Sequence, residues 1–267
     1  MAEVREMKNA DRFTGFADIY DSARPAMPEF PTEIIETYLG RKVRTVVDLG
    51  CGTGLSSLIW LGKAENIIGV EPSDDMRAKA KEKTAENLKF IKGYSHEIPL
   101  PDSSADAVVC SQSFHWMEPF STLEEIRRIL VTGGVFATVD CDWPPVSDWR
   151  VEKAYQELFT KVRAIETTHP DIKDSFVRYS KDRHLANIIR SEKFCFAREI
   201  VFSNREICTA DRLIKLAMSQ GSLQEILKKE PELIATDAGK FKKLVYEIFG
   251  DNEFIIHFSY RMRIAVK

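Results

Sequence analysis

Paired cysteines are the first thing this 267-residue sequence lacks. It has five, Cys51, Cys110, Cys141, Cys195 and Cys208, an odd number with no spacing typical of a zinc site or a redox pair. That excludes a disulfide scaffold and leaves the thiols as small hydrophobes of a reducing compartment, so a cytoplasmic protein is expected. No run approaches the roughly 18 consecutive apolar residues needed to span a bilayer. The charged start Met1-Ala-Glu-Val-Arg-Glu lacks the apolar segment of a secretory signal. Charge of one sign is also missing: 38 Lys and Arg against 41 Asp and Glu give a formal net charge of -3, no reason to expect nucleic acid as a partner. Internal repeats, low-complexity stretches and metal-ligand spacings are absent, and nothing in the sequence reports an oligomeric state.

What is present is an ordinary globular composition, 44% apolar and 30% charged, in a length that suits one large α/β domain or one domain with an insertion. From Thr45 to Asp140 short apolar runs alternate with helical patterns, as in a parallel, doubly wound sheet. The expected strands are Thr45–Leu49, Asn66–Glu71, Lys89–Lys92, Ala107–Cys110 and Val135–Asp140, apolar enough for both faces to be covered. Ser73 is placed to cap the helix after Glu71. Ser121 and Glu124 have capping-box spacing ahead of Ile126, and Gly133-Gly134 is expected to stop that helix. After Asp140 the rhythm changes. Trp149–Ile165, Leu185–Ile189, Thr209–Met218 and Phe241–Phe249 read as helices, and Glu199–Phe202 and Phe258–Val266 as an antiparallel strand pair.

The ten residues Thr45–Gly54 carry the chemistry. A buried strand ends in Asp48 and runs into Gly50-Cys-Gly52-Thr-Gly54, where alternate glycines let backbone approach a ligand closely. The apolar run from Leu55 predicts a helix whose N-terminus faces that ligand. A dinucleotide site needs G-x-G-x-x-G, but the third place here is Leu55, and Asp48 would repel a pyrophosphate. S-adenosylmethionine has no phosphate and carries an ammonium and a sulfonium, so an aspartate suits it. Glu71, at the end of the second strand, can accept hydrogen bonds from both ribose hydroxyls.

Val46–Gly54, Val70-Glu71-Pro72-Ser73, Gly93–Ser103 and Leu130–Phe136 together resemble, in order, the class I S-adenosylmethionine-dependent methyltransferases of the type 11 kind. The resemblance covers roughly Val46–Asp140. It implies a Rossmann-like, doubly wound, seven-stranded, mostly parallel α/β sheet with an antiparallel last strand and a helical cap. It also implies a division into an N-terminal segment over the cofactor (residues 1–40), a core (41–142, 195–208 and 252–267) and a cap or substrate region (143–194 and 209–251). Asp48, Gly50, Cys51 and Gly52 would lie beside the methionine moiety, and Glu71 would hold the ribose. Pro72 and Ser73 would flank the adenine, with Ser95 and His96 near the ring. Tyr94 stands where many relatives have an acid for the adenine amino group.

Beyond the fourth strand, Ser111 and Gln112 are expected at the donor's methionine end. The His115-Trp116 pair resembles a small-molecule subgroup that includes trans-aconitate methyltransferases. His115 is the candidate catalytic residue, as base or as anion ligand for the acceptor, with a purely structural role as the alternative. Trp116 reads as pocket wall rather than core. Phe16–Pro25 resembles a segment that folds over the cofactor in that subgroup. There Arg24 would pair with the donor's carboxylate and Tyr20 would shield the sulfonium. Trp143, Trp149 and Arg178 are further candidates for acceptor contacts. The implied activity is methyl transfer to a small molecule, with O-methylation of a carboxylic acid set against a quinone or lipid carbon acceptor or a non-catalytic cofactor-binding protein.

Overall fold

A computed structural model describes residue 21, residues 24–173 and residues 177–267. Its centre is a seven-stranded sheet. β1 (Val43–Leu49), β2 (Ala64–Val70), β3 (Leu88–Ile91), β4 (Ala105–Ser111) and β5 (Leu130–Cys141) are followed late in the chain by β6 (Phe196–Cys208) and β7 (Phe254–Val266). In space the order is β3-β2-β1-β4-β5-β7-β6. The first five strands pair in parallel, and β7 runs antiparallel to both β5 and β6.

The apolar runs are explained by burial on both faces. Val46, Ala107, Val109, Val135 and Ala137 enter one core, while their strand neighbours Val47, Val108 and Phe136 enter the other. Because side chains alternate along a strand, only a continuous apolar run can fill two cores at once. Among the helices, α1 (Phe30–Leu39), α2 (Asp74–Ala80) and α3 (Pro119–Ile129) belong to the first half of the chain. In the second half, α4 (Trp149–Thr168) packs against α5 (Pro170–Lys173), α8 (Gly221–Lys229) and α9 (Ala235–Phe249), and α9 also meets α7 (Ala210–Met218). α6 (His184–Arg190) instead lies against α3, β6 and β7.

Four sequence expectations need correction. After Gly54 there is no α-helix, only a 3₁₀ turn at Ser57–Trp60. The hydroxyls of Ser56 and Ser57 turn inward onto Asp48, a side-chain bonding pattern that competes with helix formation. α3 is capped by Glu118, whose carboxylate accepts from Ser121 N–H at 2.8 Å, because Pro119 at the first helical position starts the helix earlier. That helix stops at Ile129, before the glycines. Gly133 (φ +73°) lies in an irregular stretch of β5, where Ala105 pairs with Leu130 but Ala107 with Val135. Finally, β6 and β7 are each 13 residues long. The polar positions of β6 hide most of its length from a pattern search. As expected, Ser73 Oγ accepts from Met76 N–H and caps α2.

Candidate active site

A cavity of about 830 Å³ opens at the carboxyl ends of β1, β2 and β4, where ligands bind in open α/β sheets. Gly50 (φ +70°) can only be glycine: a Cβ there would stand 2.7 Å from both Met117 Cε and Ser113 Cβ. At Gly52 (φ +55°) a Cβ would meet nothing within 4 Å, and the residue lines the cavity. The turn is fastened to the second strand twice. Gly50 N–H and Cys51 N–H donate to Val70 O at 2.8 and 3.2 Å. Glu71 accepts from Gly52 N–H through Oε2 and from Ser73 N–H through Oε1, both at 2.9 Å. Its carboxylate is thus aimed by two backbone amides at the cavity wall.

Burial acts on both acids. Desolvation pushes Glu71 up to about 7 against the pull of those two amides, with Asp48 adding to the rise. Asp48 is raised to about 6, again by burial, opposed by the Ser57 and Ser56 hydroxyls. These hydroxyls donate to Asp48 Oδ2 at 2.6 and 2.7 Å. Its Oδ1 is buried and accepts no hydrogen bond from the described residues.

Of the residues picked from the sequence, Arg24, Gly50, Cys51, Gly52, Glu71, Pro72, Ser95, Ser111, Gln112, His115, Trp116, Trp143 and Arg178 line this one cavity. Asp48 lies behind the wall, Ser73 is spent on capping α2, and His96 packs near the Tyr94 ring, 5.7 Å between centroids. Trp149 is 70% exposed at the start of α4. Tyr20 falls outside the described residues. Arg24 donates to Ser219 O (3.1 Å) and Gln220 Oε1 (3.2 Å) and sits 5.2 Å over the Trp143 ring.

The cavity also holds residues that sequence reasoning missed. Arg163, Lys181, Asp182, Ser222 and Tyr260 line it. Lys181 Nζ donates to Gln112 Oε1 at 2.8 Å and lies 3.2 Å from Asp140 Oδ1. Gln112 itself is held in the left-handed region (φ +56°), a strained conformation of the kind that collects at functional sites. Arg178 reaches Ser222 Oγ at 3.3 Å and Glu166 Oε2 at 3.5 Å. The Tyr260 hydroxyl is buried without a partner among the described residues, and burial raises its pKa, so it is a neutral donor.

Beside Lys181, Asp140 is a hub. Arg263 Nη1 donates to its Oδ2 at 3.0 Å, and His184 Nε2 and His115 Nδ1 stand 3.6 and 3.9 Å from its oxygens. The potential ligand atoms of His115, Asp140 and His184 lie within 4.8 Å of one another, but Lys181 and Arg263 already neutralise the carboxylate, so no metal is assigned. Desolvation lowers the His115 pKa well below the ordinary value, helped by Lys181, His184, Arg178 and Arg24. His115 is therefore a neutral imidazole at physiological pH.

The methyltransferase domain family matches residues 47–138. An uncharacterized methyltransferase of Geobacillus sp. is 30% identical over 161 residues, covering 57% of this chain and 73% of that protein. The chain belongs to the S-adenosylmethionine-dependent methyltransferases. A methyltransferase-like protein of Schizosaccharomyces pombe is 26% identical over 247 residues, 92% of this chain and 90% of that one. An uncharacterized methyltransferase of Mycobacterium tuberculosis is 30% identical over 124 residues, 46% of this chain and 51% of that protein. The chain thus spans about half the length of the first curated relatives it matches. Among solved structures, a protein assigned as a type II methyltransferase from Anaeromyxobacter dehalogenans superimposes with a TM-score of 0.67 at 18% identity, covering 91% of this chain and 97% of that one. That likeness carries the fold alone. The cofactor of these methyltransferases is S-adenosylmethionine. The residues present suit it: a glycine turn open to the cavity, and carboxylates at the places where a phosphate-binding turn would repel its ligand. Among the described residues no helix is long and apolar enough to cross a membrane.

The raised carboxyls predict a pH effect on cofactor affinity. Glu71 must be ionised to accept two hydroxyl donors, and with a pKa of about 7 its ionised fraction rises about tenfold from pH 6 to pH 8. The dissociation constant for S-adenosylhomocysteine should fall by a similar factor over that range, and Glu71→Gln should flatten the profile. Calorimetric titrations at matched ionic strength check this. Stability is the poorer readout, because the groups oppose one another. Glu71 and Asp48 favour the folded state at low pH and lose that contribution as pH rises through their folded pKa values. His115 and His184, both lowered mainly by burial, contribute above the free imidazole pKa and lose it as pH falls.

Proposed function

We propose that this protein transfers a methyl group from S-adenosylmethionine to the carboxylate of a small organic acid. One observation carries the acceptor class. The cavity lining carries four cations, Arg24, Arg163, Arg178 and Lys181, against two acids among the described residues, Glu71 and Asp182, with Trp116 and Trp143 as apolar wall; Glu166 and Asp140 stand beside Arg178 and Lys181. A small organic acid matches the positive excess of that lining, which a quinone or lipid carbon does not.

On this reading Glu71 holds the ribose hydroxyls, the Gly50–Gly52 turn faces the methionine part, and Pro72 and Ser95 border the adenine. When bound, the cofactor supplies an electrophilic methyl group on a sulfonium. The chain's own work is alignment and exclusion of water. Lys181, fixed between Gln112 and Asp140, binds the acceptor carboxylate. The neutral His115 and Tyr260 donate hydrogen bonds rather than move protons. A carboxylate is already nucleophilic, so no base is required. We assign residues 143–194 and 209–251 to the acceptor side and expect the protein to work in the cytoplasm, in keeping with its five free cysteines.

The test is methyl transfer from labelled cofactor to pooled organic acids, phenols and quinol precursors. Transfer confined to acids supports the proposal; transfer only to neutral phenols or carbon acids sinks it. Within that assay Lys181→Ala should raise KM for the acid about tenfold, the value of one charge-assisted hydrogen bond, while cofactor affinity stays within about twofold.

A further inference from the structure

The two edges of the sheet are unequal. β3 is blunted by its length of four residues. β6 presents 13 residues, paired to β7 in one uninterrupted register from Phe196↔Val266 to Cys208↔Phe254. It has neither proline nor bulge, the usual protections of an edge, and among the described residues no strand pairs with its outer side. Val201 and Ile207 on this strand are 61% and 65% exposed.

Its charges have a symmetry. Arg198-Glu199 and Arg205-Glu206 flank Phe202, so that Arg198 and Glu206 lie four residues from it and Glu199 and Arg205 three. In an antiparallel pair related by a two-fold axis through Phe202, Arg198 of each copy faces Glu206 of the other, and Glu199 faces Arg205. A slip of two residues either way removes every one of these matches. A slip of one would set Arg198 against Arg205 or Glu199 against Glu206, and would turn the strand's faces over.

The acids are held in place. Glu206 is paired with Arg212, and Glu199 with Arg261 and Arg263. Among the described residues the cations are not neutralised: Arg198 donates to the Glu199 carbonyl alone, at 3.4 Å, and Arg205 is exposed with no side-chain partner. Arg212 also takes the Ile207 carbonyl at 2.7 Å, which limits the free edge to the stretch between the charged pairs.

We propose that the protein forms a two-fold dimer through antiparallel β6–β6 pairing centred on Phe202, joining the two sheets into one. The occupant of the edge is a second copy of the chain, because the charge pattern complements itself. The proposal is independent of the acceptor reading.

Sedimentation velocity of the full chain at tens of micromolar tests it. The wild type should run as a dimer. Arg198→Glu sets two acids opposite each other in a homodimer, and Glu206→Arg sets two cations opposite, so each variant alone should dissociate at least about tenfold more readily. An equimolar mixture restores every pair, and differently tagged copies should then recover wild-type association as a heterodimer. If either variant misfolds, as read by circular dichroism, hydrogen exchange of the wild type decides. Amides within Glu199–Arg205 should slow as protein concentration rises. A monomeric wild type, a mixture no tighter than its components, or concentration-independent exchange along β6 overturns the proposal.

Discussion

Glu71→Ala should cost about 3 kcal/mol of S-adenosylmethionine binding, roughly a 150-fold rise in dissociation constant, in a protein that still folds. Two effects add. The variant removes the acceptor of the ribose hydroxyls, and it frees the amides of Gly52 and Ser73, which Glu71 holds at 2.9 Å. The first changes the ligand's contacts and the second loosens the turn that shapes the cavity. Glu71→Gln separates them, because an amide oxygen still accepts from one backbone N–H, and its loss should fall between wild type and alanine. Calorimetry on variants with native circular dichroism measures both. An unchanged affinity for the alanine variant would take Glu71 out of the site.

The second large effect is on stability. Arg263 and Asp140 are 3% and 2% exposed and joined at 3.0 Å between neighbouring strands β7 and β5. Arg263→Met removes one partner of a buried pair and should destabilise the fold by about 3–5 kcal/mol, read as a lower urea midpoint at unchanged slope. Replacing both charges, as in Asp140→Leu with Arg263→Met, should recover much of that loss, because neither desolvated charge is then left alone. The double variant should nevertheless lose acceptor binding, since Asp140 also holds Lys181 at 3.2 Å. Stability and activity would thereby part company, which a purely structural pair would not do.

Much of the fold was legible because the parallel strands are buried on both sides. Val46-Val47 and Val108-Val109 each feed two cores, and no surface strand would tolerate such runs. The alternating edge strand β6 was legible only at its apolar centre. The run Leu55–Leu61 misled because its apolar residues suggested a helix while its serines were committed to Asp48. Around the glycine turn the sequence picked out Gly50, Gly52 and Glu71, which do line the cavity, since glycine spacing and strand-end acids are local features. On the acceptor side it did not. Lys181 reads as one more charge in Tyr-Ser-Lys-Asp-Arg-His, and only the fold brings it to Gln112 and Asp140. Tyr260 was read correctly as a strand residue, yet the direction of its hydroxyl depends on packing across the sheet. His115 was found, but its neutral state follows from burial and surrounding cations that no local motif encodes.

A carboxylate received among the arginines and Lys181 of the cavity lining leaves a methyl ester as product. After turnover with methyl-labelled S-adenosylmethionine and the pooled organic acids, mild alkali should release the transferred label as methanol, because a methyl ester hydrolyses under conditions that leave methyl ethers, amines and carbon-bound methyl groups intact. Label that enters product and stays there through alkali would contradict the account.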